Sequence, residues 1–91
     1  MITAGIDAGN RFTKALLQKE GQILSYAVVE SGFDHKKAAE DAFGLAVSRA
    51  GIVRDSVERI MATGAGQGDV PFATGVITDI GAAARGVSAE V

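Results

Sequence analysis

The sequence has no cysteine and no tryptophan, one histidine, one proline and one tyrosine. Without cysteine, these residues can form no disulfide, no thiolate nucleophile and no sulfur-ligated metal or cluster. The single histidine, His35, stands where a helix should begin, and it reads as a surface residue rather than a base or a metal ligand. Ser25, Ser31, Ser48 and Ser56 have no nucleophile context, which leaves a serine hydrolase without support. Basic charge is also lacking: 9 Lys and Arg stand against 11 Asp and Glu, for a formal net charge of −2. That balance excludes a generic nucleic-acid or anionic-membrane binder, which needs a basic face. No apolar run approaches the ~18 residues of a membrane span. The N-terminus lacks the basic start and long apolar segment of a secretory signal, so a cytoplasmic location is expected.

What is present points to one small α/β domain. With 91 residues, a chain buries only roughly 60–65% of the surface it exposes when unfolded. The hydrophobic fraction is 47%, with aromatics at only 5%. Because alanine makes up much of that fraction, a close-packed core of small residues is expected.

Residues 1–8 read as a buried strand, with Ile2, Ala4 and Ile6 alternating with Thr3, Gly5 and Asp7. Gly9-Asn10 is a turn signal, since both residues tolerate positive φ. The return strand over 12–18 puts Phe12, Lys14, Leu16 and Gln18 on one side and Thr13, Ala15 and Leu17 on the other. Glu20-Gly21 makes a second turn, and Gln22 to Glu30 is rich in strand formers. Asp34 suits an N-cap for a helix over 35–50, and Gly51 suits its C-terminal stop. Ala39, Ala42, Phe43, Ala46, Val47 and Ala50 share one face of that helix. Val57 to Thr63 predicts a strand parallel to the first, and residues 76–86 predict a second helix. The pattern is a partial ribonuclease H-like fold: a three-stranded antiparallel meander, helix, parallel strand, helix. With no further strand expected, the edge at Val57 to Thr63 would be open.

The chemistry centres on the first turn. Asp7, at the tip of a buried strand, can organise a hydrated Mg²⁺, which usually takes one or two protein carboxylates plus phosphate oxygens. Gly9, Asn10 and Arg11 can present backbone N–H groups to an anion. Thr13 offers a hydroxyl and Lys14 an ammonium. An isolated Asp-x-Gly turn can equally be a carboxylate that only accepts turn hydrogen bonds. Thr63, Gly64 and Gly66 follow a parallel strand, at the edge where ligands collect in α/β sheets, and are candidates to line a cleft. Asp79-Ile80-Gly81 imitates a second phosphate hairpin, but Ala82 replaces the expected second glycine.

Gly5-Ile6-Asp7-Ala8-Gly9 followed by Thr13-Lys14-Ala15-Leu16-Leu17 resembles the first phosphate motif of the acetate and sugar kinase, heat-shock chaperone and actin superfamily. Further stretches are Gly21-Gln22-Ile23-Leu24, Ala50-Gly51-Ile52, Arg59-Ile60-Met61-Ala62-Thr63-Gly64-Ala65-Gly66, Val70-Pro71-Phe72-Ala73 and Ala84-Arg85-Gly86. With them the chain resembles the ATPase family of benzoyl-CoA reductase subunits and 2-hydroxyacyl-CoA dehydratase activators. The resemblance implies that residues 1–91 are the N-terminal part of an actin-like ATPase domain. It further implies Mg-ATP bound between two such halves, and a [4Fe-4S] cluster held by cysteines between two like subunits. Hydrolysis would drive low-potential electron transfer to an acyl-CoA reductase or dehydratase component. On this resemblance Asp7 organises the metal and its waters, while Gly9, Asn10, Arg11, Thr13 and Lys14 serve the phosphates. Asn10-Arg11-Phe12 departs from the hydroxyl-rich run usual after the glycine, and Ala82-Ala83 stands where many relatives have Cys-His. The second phosphate motif and the cluster cysteines are absent, so 91 residues alone are not expected to hydrolyse ATP well. A sugar or acid kinase of the same superfamily, or a non-catalytic actin-like interaction module, are the alternatives.

Overall fold

The computed structural model describes residues 1–64, 70 and 72–76. Strands β1 (Ile2–Ala8), β2 (Phe12–Lys19) and β3 (Gln22–Glu30) form the antiparallel meander. Period-two burial sets its inner face. Ala4, Ile6 and Ala8 of β1 are buried and stand opposite Leu17, Ala15 and Thr13 of β2, which are buried as well. The β2–β3 turn has both central residues at positive φ, Glu20 at 52° and Gly21 at 81°, the pattern of a type I′ hairpin.

The first turn works differently from the sequence expectation. Among the described residues positive φ occurs at Glu20, Gly21, Gly32, Gly51 and Gly64, and therefore not at Gly9 or Asn10. Glycine is needed at position 9 for space instead. Its N–H donates to the Phe12 carbonyl at 3.1 Å, and a Cβ there would lie 2.7 Å from that same oxygen.

Helix α1 (His35–Ala50) starts where the Asp34 carboxylate accepts the Lys37 N–H at 3.1 Å. It stops at Gly51, whose φ is 69°. The Gly51 N–H donates to Ser48 O and the Ile52 N–H to Val47 O, the two bonds of a Schellman ending. The buried face is Ala38, Ala39, Ala42, Phe43 and Ala46, with Val47 and Ala50 packed at its margin. Alanine lets the helix lie close on the sheet. Phe43 is the large residue that fills the gap, and its full burial contributes about 2–3 kcal/mol. Arg49, in the last turn, donates from Nη1 to the Tyr26 carbonyl of β3 at 2.9 Å.

A single 3₁₀ turn (Arg54–Ser56) leads into β4 (Val57–Thr63), which lies parallel to β1 as expected. The Arg54 guanidinium lies 4.8 Å from the Phe43 ring centroid and 4.9 Å from that of Phe72. The two rings stack at 5.2 Å, and Arg54 also donates to both carboxylate oxygens of Glu40, at 2.7 and 3.0 Å. This stack ties α1 to the segments on either side of β4.

A short strand β5 (Gly75–Val76) pairs in parallel with Met61 and Ala62 of β4, completing a five-stranded sheet in the order β3-β2-β1-β4-β5. Two expectations are thereby corrected: a strand does follow β4, and the β4 edge is partly covered. Val76 belongs to that strand, and the rest of the helix expected over 76–86 lies outside the described residues. The strand is anchored by Thr74, whose N–H and Oγ1–H both donate to Ile60 O, while the Ile60 N–H donates to Thr74 Oγ1. Among the described residues no helix is long and apolar enough to cross a membrane.

Candidate functional site

Strands β1, β3 and β4 all run in one direction, since β1 pairs antiparallel to β2, β2 antiparallel to β3, and β4 parallel to β1. Their carboxyl ends share one rim of the sheet, together with the start of β2. Ligands of open α/β sheets bind outside such a rim.

Asp7 lies at this rim on the face turned away from α1, because the alternate positions Ile6 and Ala8 are those buried under the helix. Its ladder neighbours are Lys14 on β2 and Thr63 on β4. Directly opposed residues of an antiparallel pair share a face, so Asp7 and Lys14 bring opposite charges to one place. Arg54 and Glu40 form an ion pair, whereas Asp7 and Lys14, though on one face, do not close on each other. A half-buried carboxylate and a half-buried ammonium thus stand side by side at the rim.

The backbone just after β4 presses against this carboxylate. A Cβ on Gly64 would lie 2.7 Å from Asp7 Oδ1, 2.7 Å from Ala8 O and 2.9 Å from Ala8 C, and Gly64 has φ +93°. Both the approach and the conformation need glycine. Gly64 and the buried Thr63 therefore lie beside Asp7, whereas Gly66 lies outside the described residues. Asn10 and Arg11 are exposed in the turn just beyond Asp7, and the Arg11 guanidinium stands 5.9 Å from the Phe12 ring centroid.

Thr13 is separated from this group. It is fully buried on the helix side of the sheet, and its Oγ1 is 2.8 Å from Ser31 Oγ. Ser31 in turn donates to Gly9 O at 2.6 Å. A hydroxyl carries one proton, so Thr13 must be the donor to Ser31. The sequence reading put Thr13 and Lys14 on opposite sides of β2 yet gave both to one phosphate; the structure leaves only Lys14 on the face of Asp7. Ser31, which no motif singled out, is buried against the turn. Its only sequence signal was a small hydroxyl residue closing β3 just before a glycine.

One half-buried carboxylate at the sheet rim, beside a glycine whose Cβ would fill the space, fits a hydrated Mg²⁺ that keeps most of its waters. Among the described residues no cluster of three or more His, Cys, Asp or Glu forms. A [4Fe-4S] cluster does not fit, because the chain has no cysteine to ligate it.

No protein-family model and no curated protein matches the chain. Solved structures do. Component A of the (R)-2-hydroxyglutaryl-CoA dehydratase of Acidaminococcus fermentans matches 85% of the chain at 22% identity and TM-score 0.78. The activator of the 2-hydroxyisocaproyl-CoA dehydratase from Clostridium difficile, with bound ADPNP, matches 94% at 22% identity and TM-score 0.79. A ROK hexokinase from Thermus thermophilus matches 70% at 24% identity and TM-score 0.61. The chain spans 30%, 32% and 22% of the lengths of these three proteins. At these identities the likeness is one of fold, and the fold is that of part of an actin-like ATPase domain.

Proposed function

We propose that this chain supplies the metal- and phosphate-binding rim of an actin-like ATPase of the dehydratase-activator type. The observation that carries the reading is the Asp7 carboxylate, set opposite Lys14 and walled by the glycine backbone at Gly64. Asp7 would hold Mg²⁺ through its waters, and Lys14 with the N–H groups of the turn around Asn10 and Arg11 would take phosphate oxygens. Bound Mg²⁺ would neutralise charge on the phosphates and orient the attacking water. These residues bind and orient; the remainder of a nucleotide cleft is not among them.

Support for a nucleotide comes from the ADPNP in the Clostridium neighbour, and for the activator role from the two dehydratase-linked neighbours. On this reading the protein works in the cytoplasm, as a dimer with a like ATPase subunit, and serves an acyl-CoA dehydratase or reductase component. Electron transfer through a cluster is assigned to none of these residues. The hexokinase likeness favours a second reading, a sugar kinase using the same rim.

Both readings are tested in the protein that carries this chain by comparing wild type with Asp7→Asn. Mg²⁺-dependent ATP turnover should fall by about 100-fold or more, the scale on which a charge-stabilising group matters. Turnover without a sugar supports the activator type, and turnover that requires one supports the kinase. An Asp7→Asn protein with unchanged turnover refutes the site.

A further inference from the structure

We infer that Ser31 is a positioning residue for the phosphate turn, and that it sets the direction of the backbone N–H groups offered to the ligand. The inference rests on the proposed reading of the rim. Ser31 is 3% exposed and holds the turn at two points. Its Oγ–H donates to Gly9 O at 2.6 Å, and its N–H donates to Arg11 O at 2.8 Å. In a trans peptide the C=O and the following N–H point in opposite directions. With the carbonyls of Gly9 and Arg11 both drawn toward Ser31, the N–H groups of Asn10 and Phe12 are directed away from it. Thr13 completes the device from the buried side, because its proton donation to Ser31 Oγ commits the serine proton to Gly9 O.

Two features make this more than a packing contact. The Gly9 N–H is already engaged with Phe12 O at 3.1 Å, so the turn's capacity to bind an anion depends on the N–H groups that follow it. Nothing in β1 or β2 fixes the Gly9–Asn10 peptide plane, since the paired register ends at Ala8 and Thr13. That plane is held by Ser31, just beyond the end of β3. Without the Ser31 hydroxyl it is free to rotate, and the ligand then meets a mixture of N–H and C=O groups.

The test measures steady-state MgATP turnover and equilibrium ADP binding for wild type, Ser31→Ala, Ser31→Cys and Thr13→Val in the full protein, with Asp7→Asn alongside. Loss of one buried hydrogen bond corresponds to about a tenfold effect, so Ser31→Ala should raise both KM for MgATP and Kd for ADP about tenfold, with kcat changed much less. Thr13→Val keeps the Ser31 hydroxyl but no longer commits its proton to Gly9 O, so its KM should rise by less than that of Ser31→Ala. A serine that serves only packing would reduce the active fraction, lowering kcat and leaving KM and Kd unchanged. That result overturns the inference. If Ser31→Ala does not fold, Ser31→Cys, which keeps the volume and a weaker donor, must show a KM rise of several-fold; an unchanged KM overturns the inference equally. Should turnover prove insensitive to Asp7→Asn, the reading of the rim fails first and Ser31 falls with it. Sensitivity to Asp7→Asn with unaltered KM in the serine variants isolates the failure to Ser31.

Discussion

Replacing Gly64 with alanine perturbs the candidate site at its most crowded point. The backbone there has φ +93°, and the added methyl would lie 2.7 Å from both Ala8 O and Asp7 Oδ1. Ala8 is fully buried in a strand paired on both sides, so its carbonyl cannot give way. Holding a non-glycine residue in that region costs about 1–3 kcal/mol. Forcing a methyl into rigid surroundings adds about 1–3 kcal/mol, for a total of roughly 2–6 kcal/mol against the 5–15 kcal/mol of a typical domain. Gly5→Ala is the control. It has no positive φ and nothing within 4 Å of its added Cβ, so its effect should stay within about 1 kcal/mol. Urea unfolding followed by far-UV circular dichroism measures both. In the fraction of Gly64→Ala that still folds, Mg²⁺-dependent turnover should also fall, because the methyl displaces the Asp7 carboxylate. Equal midpoints for the two alanine variants would refute the close approach of the Gly64 backbone to Asp7.

Two further predictions concern stability. Arg54→Ala removes the stack on Phe43 and Phe72 and the fork to Glu40, and should cost about 1–2 kcal/mol, mostly from the rings, since the ion pair is about half exposed. The hydrogen bond from Arg54 lowers the Glu40 pKa, with burial opposing and charge attraction adding to the shift. The unfolded chain therefore binds more protons at mildly acid pH. The pair's contribution is present above the ordinary glutamate pKa and is lost as pH falls through the lowered one. Urea melts of wild type and Arg54→Ala should converge on acidification by only a few tenths of a kcal/mol; complete convergence would show that the rings contribute nothing. Glu20→Asn, at φ 52° in the β2–β3 turn, should stabilise by about 0.5–1 kcal/mol, because asparagine tolerates the left-handed region that glutamate does not. A lower urea midpoint would count against the turn geometry.

Much of the framework was legible because it rests on local chemistry. The boundaries of α1 are written in Asp34 and Gly51, and the bounds of β3 and β4 match the runs from Gln22 to Glu30 and from Val57 to Thr63. Strand β5 was not legible. Two residues carry no period, and their pairing depends on the Thr74 hydroxyl meeting Ile60 across the fold. At the site, Asp7 and Lys14 could be placed by alternation. Thr13 was assigned by closeness in sequence, and one step along a strand reverses the face a side chain occupies. Ser31 and Gly64 act at a distance of 22 and 56 positions from the residues they touch, Gly9 and Ala8, a relation that a single sequence does not display.

The bond from Arg49 to Tyr26 bears on how the molecule avoids its own kind. Strand β3 is an outer strand of the sheet, nine residues long, with Ile23, Tyr26 and Val28 exposed along it. Such a strand is a template for adding strands from other chains, the first step toward aggregation. Arg49 occupies a carbonyl in the middle of that template and sets a fixed positive charge beside it. An incoming strand would have to break this bond and bury the charge, so the guard against self-association at this edge is supplied by the helix rather than by the strand.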